Sequence, residues 1–280
     1  MAIRDILVHL DATPRAAARL DLAAQLAQRL QAHLTGLFVL DIPIPAFAGG
    51  EIAGAAAVAD LIEGMRAAGL EDAAKVEATF REKLRREGLA GEWRLAEGIT
   101  GGELALHGRY ADLVVVGQSG PEDATVGSAA IEAALFQTGR PVLVVPHAGP
   151  VASLGKRVLV GWNASREASR ALHDALPLIA TAESVTVLTI NAEPGADSHG
   201  EEPGADIARH LARHGLQVTV RRIVGAEISA GDMLLNEAAD LGADLLVMGG
   251  YGHSRFREFM LGGATRTLLG QMTVPVLMSH

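Results

Sequence analysis

Cysteine is absent from the 280 residues, which excludes disulfides, thiolate metal sites and a cysteine nucleophile and fits a reducing compartment. Long apolar runs are absent too: no stretch approaches the roughly eighteen residues a membrane span needs. The opening MAIRDILVHLD carries charges within its first five residues and no unbroken apolar core, so it is expected to be a strand rather than a secretion signal. Positive charge is in deficit. The 24 Lys and Arg against 33 Asp and Glu leave a formal net charge of −9, which argues against general nucleic-acid binding, because that affinity comes mainly from neutralising phosphates. A small anionic ligand held locally is still compatible with it. A cytoplasmic chain with neither nucleic-acid nor membrane partners is expected.

Several catalytic motifs are missing as well. Gly149 lies one residue too far from Gly155-Lys156 for a P-loop, and Arg157 stands where Ser or Thr is required. No Gly-x-Gly-x-x-Gly follows an apolar run, which counts against a dinucleotide site. Around Ser254 the second glycine of a hydrolase elbow is lacking. Only His210 and His214 fall at helical i, i+4 spacing, and without the Glu of a zincin motif they read as an exposed face rather than a metal site.

What is present is a repeat. Residues 111–146 and 242–279 share one design: an apolar run, a Gly-x-x-Gly loop, a helical stretch, and a second apolar run entered through Pro-Val. The starts also agree, RDILVHLD at 4–11 matching KRVLVGWN at 156–163. Such self-similarity predicts two copies of one fold. The chain length suits two domains of about 140 residues, and at 49% hydrophobic residues each half can bury a core. We place the first domain at 1–147, a linker at 148–155 and the second domain at 156–280.

Strands are expected near 4–10, 34–40, 92–96, 112–117 and 142–146, with helices near 14–31, 55–87, 101–109 and 126–138. In the second half, strands fall near 157–161, 185–190, 217–223, 244–248 and 274–278, and helices near 165–180, 203–214, 230–241 and 262–271. Short Leu, Val and Ile runs bounded by turn residues fit strands buried on both faces of a parallel sheet. The expected class is α/β, with two tandem domains, each a five-stranded parallel sheet flanked by helices in a Rossmann-like manner. Residues 43–70 have no counterpart of equal length in the second half; a longer helix, a lid or a partner surface all fit.

In open parallel sheets ligands bind at the carboxyl ends of the strands, where strand order reverses. Two such ends of the second half carry suitable residues: Trp162-Asn163-Ala164-Ser165 and Gly249-Gly250-Tyr251-Gly252-His253-Ser254-Arg255. Glycines at 249 and 252 permit close backbone approach. Gly262 and Gly263 then open a helix whose first amides, with Thr265, can face an anion. Gly249-x-x-Gly252, nine residues, then Gly262 followed by a small residue resembles the nucleotide-binding signature of the universal stress protein family. The resemblance extends over both halves, as a tandem universal stress protein.

That resemblance implies ATP held by Gly249, Gly252 and Gly262 along ribose and phosphates, with Mg²⁺ reaching it through phosphate oxygens and water. Asn163 stands where the family commonly has Asp, near base and ribose, and backbone around Ile190 would meet the adenine edge. Arg255 is a bidentate phosphate partner by its chemistry; His253 reads equally as a phosphate contact or a surface residue. One departure is Gly263, where the family normally places Ser or Thr; its amide remains a donor and Thr265 lies two positions on. Ser165 suits a helix N-cap, and Trp162 is expected to pack at the sheet end.

The first half departs further. Gly117-Gln118-Ser119-Gly120 keeps two glycines, but six residues rather than nine precede Gly127. Residues 249–269 hold Arg255, Arg257 and Arg266 against Glu258, a formal +2, whereas 117–137 hold Glu122, Asp123 and Glu132 with no Lys or Arg, a formal −3. A unit-charge contact at 4 Å is worth about 1 kcal/mol in water and several times that when partly buried, so a triphosphate should prefer the second half.

The expected function is therefore an ATP-binding, nucleotide-responsive regulator in stress adaptation rather than an enzyme, with no Walker lysine or positioned base for hydrolysis. Slow ATP turnover and a nucleotide-independent interaction module are the alternatives. Family members pair through the closing strand, which implies that 142–146 and 274–278 join the halves as a pseudo-dimer, with homodimerisation as a further step and an unidentified protein as partner.

Overall fold

Branched aliphatic runs become the strands of one sheet. The computed structural model describes residues 2–42, 55–118, 124–149, 151–195, 200–225, 228–250 and 263–280. The first half contains β1 (Asp5–His9), α1 (Ala16–Leu30), β2 (His33–Leu40), α2 (Ala55–Glu87), β3 (Gly91–Glu97), α3 (Thr100–Gly108), β4 (Leu113–Gly117), α4 (Ala124–Gln137) and β5 (Val142–Val145). The second contains β6 (Arg157–Gly161), α5 (Arg166–Ile179), β7 (Ser184–Ile190), α6 (Ala205–Arg213), β8 (Val218–Ile223), α7 (Ala230–Asp240), β9 (Leu245–Gly249), α8 (Gly263–Gln271) and β10 (Val276–Ser279). These bounds lie within about two residues of the sequence-based ones.

The strand order is β3-β2-β1-β4-β5-β10-β9-β6-β7-β8. Within each half every pairing is parallel, and the halves meet where β10 runs antiparallel to β5, with Leu277 opposite Leu143. The closing strands thus join the halves as the family resemblance implied. Their side chains are buried throughout, VLVV in β5 and VLMS in β10, because helices cover both faces of the seam. Among the described residues only β3 and β8 remain as edges, and both are largely exposed and carry charges such as Arg94 and Arg221, a pattern that discourages further strand pairing.

The halves are unequal in two places. The long α2 spans 33 residues where the second half has the nine-residue α6, and it drives fully buried Phe80 against Trp93, ring centroids 5.6 Å apart. Residues 55–70 are therefore helix, while 43–54 lie outside the described residues. The segment entering the second half is held by Asp244, which accepts from Ser153 Oγ at 2.6 Å and from the amides of Gly155, Lys156 and Arg157 at 3.0 to 3.1 Å. Its counterpart Asp112 accepts from the amides of Arg4 and Asp5 at 2.8 and 3.1 Å. Arg29 on α1 donates to Leu154 O at 2.7 Å and Leu178 O at 3.2 Å, tying the first half to the beginning of the second.

Candidate functional site

In the second half the chain runs β6, β7, β8 in one direction and returns to β9 and β10 on the other side of β6. The order reverses between β6 and β9, so the crevice at their carboxyl ends is the site the fold favours for a ligand. Its floor has little side chain. β6 ends at Gly161 and β9 at Gly249, followed by Gly250. A Cβ on Gly249 would lie 2.6 Å from Ala168 N and 2.8 Å from Glu167 C, so the first turn of α5 rests on backbone there. A Cβ on Gly250 would strike the Leu135 side chain of α4, which belongs to the other half.

The loop after β6 is built to start α5 at that point. Trp162 N donates to Leu188 O at 2.9 Å, and Trp162 packs partly buried against the core. Asn163 Oδ1 accepts from Ser165 N at 3.2 Å while Ala164 takes φ 56°. Ser165 caps α5, its Oγ accepting from Ala168 N at 3.1 Å. Glu167 in the same turn is buried; burial pushes its pKa up, but its own amide and Arg166 outweigh that and hold the carboxyl below the usual range.

The topology gathers three of the expected ligand residues at one edge, since Asn163 follows β6, Ile190 ends β7 and Gly249 ends β9, and these strands are neighbours. After Ile190 the backbone turns at Asn191, φ 49°, whose side chain pairs with the backbone of Gly225 at 2.8 and 2.9 Å. Gly263 is exposed at the start of α8, and Thr265 is buried within it. Gly252, His253, Arg255 and Gly262 lie outside the described residues. Contacts between the halves reach this edge from the other side: Gln118 Nε2 donates to Leu269 O at 2.8 Å, and its Oε1 accepts from His147 N at 2.9 Å.

In the equivalent crevice of the first half, between β1 and β4, a charged side chain rather than helix backbone lies over the strand-end glycine. Arg19 on α1, only 4% exposed, places its guanidinium in the space a Cβ on Gly117 would take, and its Nη2 lies 2.7 Å from Asp11 Oδ2. Asp11 also accepts from the amide and hydroxyl of Thr13. Burial pushes its pKa up, but Arg19 and these hydrogen bonds more than offset that and keep it below the usual range. Sequence reasoning missed this pair, although a signal existed: Arg19 stands on the buried stripe of Ala16, Leu20, Ala23 and Ala27.

Half-buried His9 lies beside the pair, and burial, then the Arg19 charge, lower its pKa to about 4. The unfolded chain takes up a proton near the ordinary 6.5, so stability is fully present above that pH and is lost as pH falls from about 6.5 to 4. The loss is on the order of 3 kcal/mol. Urea midpoints at pH 7 and pH 5 should separate less in His9→Gln than in the parent; an equal separation would remove His9 from the account.

Among the described residues, no group of three His, Cys, Asp or Glu is placed to hold a metal ion. His173, His210 and His214 instead lie ring by ring, centroids 5.0 and 4.9 Å apart, across α5 and α6. Among those residues, too, no helix is long and apolar enough to cross a membrane.

Residues 155–280 match the model of the universal stress protein family. Among solved structures, the chain is similar to a universal stress protein from Archaeoglobus fulgidus DSM 4304, at 20% identity and a TM-score of 0.73, over 98% of this chain and 94% of that one. It is also similar to a putative universal stress protein from Pseudomonas aeruginosa UCBPP-PA14, at 18% identity and a TM-score of 0.58, over 99% of this chain and 92% of that one. No curated protein matches it. At such identities the solved structures establish the fold, here along both halves, while the family match falls on the second. The C-terminal half of the chain is a universal stress protein domain, and the N-terminal half carries the same fold in tandem with it.

Proposed function

We propose that the C-terminal half binds an adenine nucleotide, ATP in preference to less charged forms, in the crevice between β6 and β9, and that the chain acts as a nucleotide-responsive regulator. The observation that carries this reading is the contrast between the two crevices. One has a backbone floor at Gly161 and Gly249 beneath the start of α5, and the other is occupied by the Arg19 and Asp11 pair.

The residues present suit such a ligand. Strands β6 and β9 end in backbone without side chains at Gly161 and Gly249, the start of α5 offers a positive helix end there, and the formal +2 of residues 249–269 favours phosphates. Bound Mg²⁺ would be carried on the phosphates, adding charge neutralisation. Neither a Walker lysine nor a positioned base is in the sequence, so the reading is binding without appreciable turnover. The lack of cysteine suits a cytoplasmic setting. Binding shifts the surface offered to a protein partner only as far as the nucleotide distinguishes the two forms.

The test is the nucleotide content of the purified protein, released by denaturation, beside a Gly252→Val, Gly262→Val variant. About one ATP per chain, lost in the variant, is the expected result. No nucleotide, with no ATP-induced rise in melting temperature, would overturn the reading in favour of a nucleotide-independent interaction module.

A further inference from the structure

At the other end of β1 from the Arg19 and Asp11 pair, the amino ends of β1, β2 and β3 line a cavity of about 360 Å³, within the size range of small-molecule sites. Alternate residues of a strand share one face. Here Leu7, Thr35 and Glu92 stand side by side in register, with Asp5 beside His33 one step back and Arg94 one step on. The nine-residue α3 ends at Gly108, and His107 and Tyr110 complete the wall.

The groups already engaged are separable from those left open. Arg94 donates through Nε to Glu92 Oε1 at 2.7 Å, and its Nη1 lies 3.3 Å from His107 Nδ1; a guanidinium only donates, so that ring nitrogen accepts. The Asp5 carboxylate has no such partner, because His33 Nδ1 is 4.0 Å away, beyond hydrogen-bond reach. Thr35 is only 7% exposed, and its hydroxyl makes no hydrogen bond among the described residues. Nor, among those residues, does the Tyr110 carbonyl. The open groups are thus a carboxylate, a hydroxyl and a carbonyl, all able to accept, in a wall where Asp5 and Glu92 against Arg94 give a formal −1.

The second half shows what such acceptors hold. Asp112 N donates to Asp5 O and Asp244 N to Arg157 O, each at 2.8 Å, so Arg157 stands at the position of Asp5 and Gly242 at that of Tyr110. Arg157 Nε donates to Gly242 O at 2.7 Å. The chain's own guanidinium there meets the carbonyl just past α7, at the negative end of the helix. In the first half the same position carries a carboxylate, and among the described residues no arginine donates to Tyr110 O. We propose that this cavity binds a small alkylguanidinium compound, which takes the place that the Arg157 side chain fills in the second half. Asp5 is its counter-ion, and the Tyr110 carbonyl and Thr35 hydroxyl accept its remaining hydrogen bonds.

Isothermal titration of the full chain with butylguanidinium, with its uncharged isostere butylurea and with inorganic phosphate tests this. About one butylguanidinium should bind per chain, with butylurea weaker by about tenfold or more, the factor a charge-assisted hydrogen bond supplies, and with no saturable binding of phosphate. Asp5→Asn keeps the shape of a side chain that is 54% exposed, so it should fold normally, and it should weaken butylguanidinium by a similar factor. Thr35→Val should also weaken it, which places the ligand inside the cavity rather than on the surface around Asp5. Glu202→Gln, an exposed acid of the second half, should leave the titration unchanged. Absence of butylguanidinium binding, equal affinity for butylurea, binding of phosphate in its stead, or an Asp5→Asn effect no larger than that of Glu202→Gln would each overturn the proposal.

Discussion

Gly249→Ala should cost the protein about 3 kcal/mol of stability, with nucleotide affinity falling alongside. The new Cβ would sit 2.6 Å from Ala168 N, 2.8 Å from Glu167 C and 2.9 Å from Glu167 Cβ. Two of these three neighbours are backbone, and no rotamer change clears them. Moving α5 away is not a cheap alternative, because Ala171, Leu172 and Ala175 behind it are fully buried and a close-packed interior transmits the displacement. Gly263→Ala is the matched control. It lies at the start of α8, is exposed and would meet nothing within 4 Å, so it should be neutral or gain up to about 1 kcal/mol. Urea midpoints of the two variants read the difference directly, and coincident midpoints would refute the packing of α5 on β9.

Asp244→Ala should be comparably damaging. One carboxylate satisfies Ser153 Oγ and three successive amides, Gly155, Lys156 and Arg157. Truncation leaves those donors without an acceptor at the entry to β6, at roughly 1 to 3 kcal/mol for each group that water does not reach. A total loss of about 3 kcal/mol is expected. Asp112→Ala removes an acceptor for two amides only and should cost less. Hydrogen exchange at residues 155–157 gives the sharper measurement: those amides should lose protection in Asp244→Ala before the rest of β6 does. Unchanged exchange there would show that the hydrogen bonds are not what holds the segment.

Much of this architecture was legible because its determinants are local. LVVV at 113–116 and VLVV at 142–145 announce strands covered on both faces, and both are fully buried in the structure. The pattern over 55–87 reads as one helix, and one helix is observed. Ser165 could be read as a cap from its position alone, and it is one. The sequence also led to the β6 and β9 ends, since glycine runs after strands mark where backbone approaches something closely.

What escaped depends on partners remote in sequence. Arg19 on a helix stripe is visible, but its pairing with Asp11 over Gly117 requires the β1 and β4 ends to be adjacent in space. Likewise, Gln118 reaching Leu269 and Gly250 yielding to Leu135 follow from the register of the β5 and β10 pairing, which composition does not encode. Charge alone had suggested which half a triphosphate prefers; the Arg19 guanidinium over Gly117 became visible only in three dimensions.

The antiparallel seam has a consequence for how the two halves can differ. Had the same interface joined two identical chains, symmetry would reproduce every substitution on both sides of the axis, and an arginine like Arg19 would appear in both crevices or in neither. Carrying both units on one polypeptide lifts that constraint, so one crevice can change while its twin does not. The covalent link also fixes the ratio of the two kinds of unit and keeps them together at a high effective concentration. Dilution that would dissociate an ordinary dimer therefore leaves the unequal pair intact.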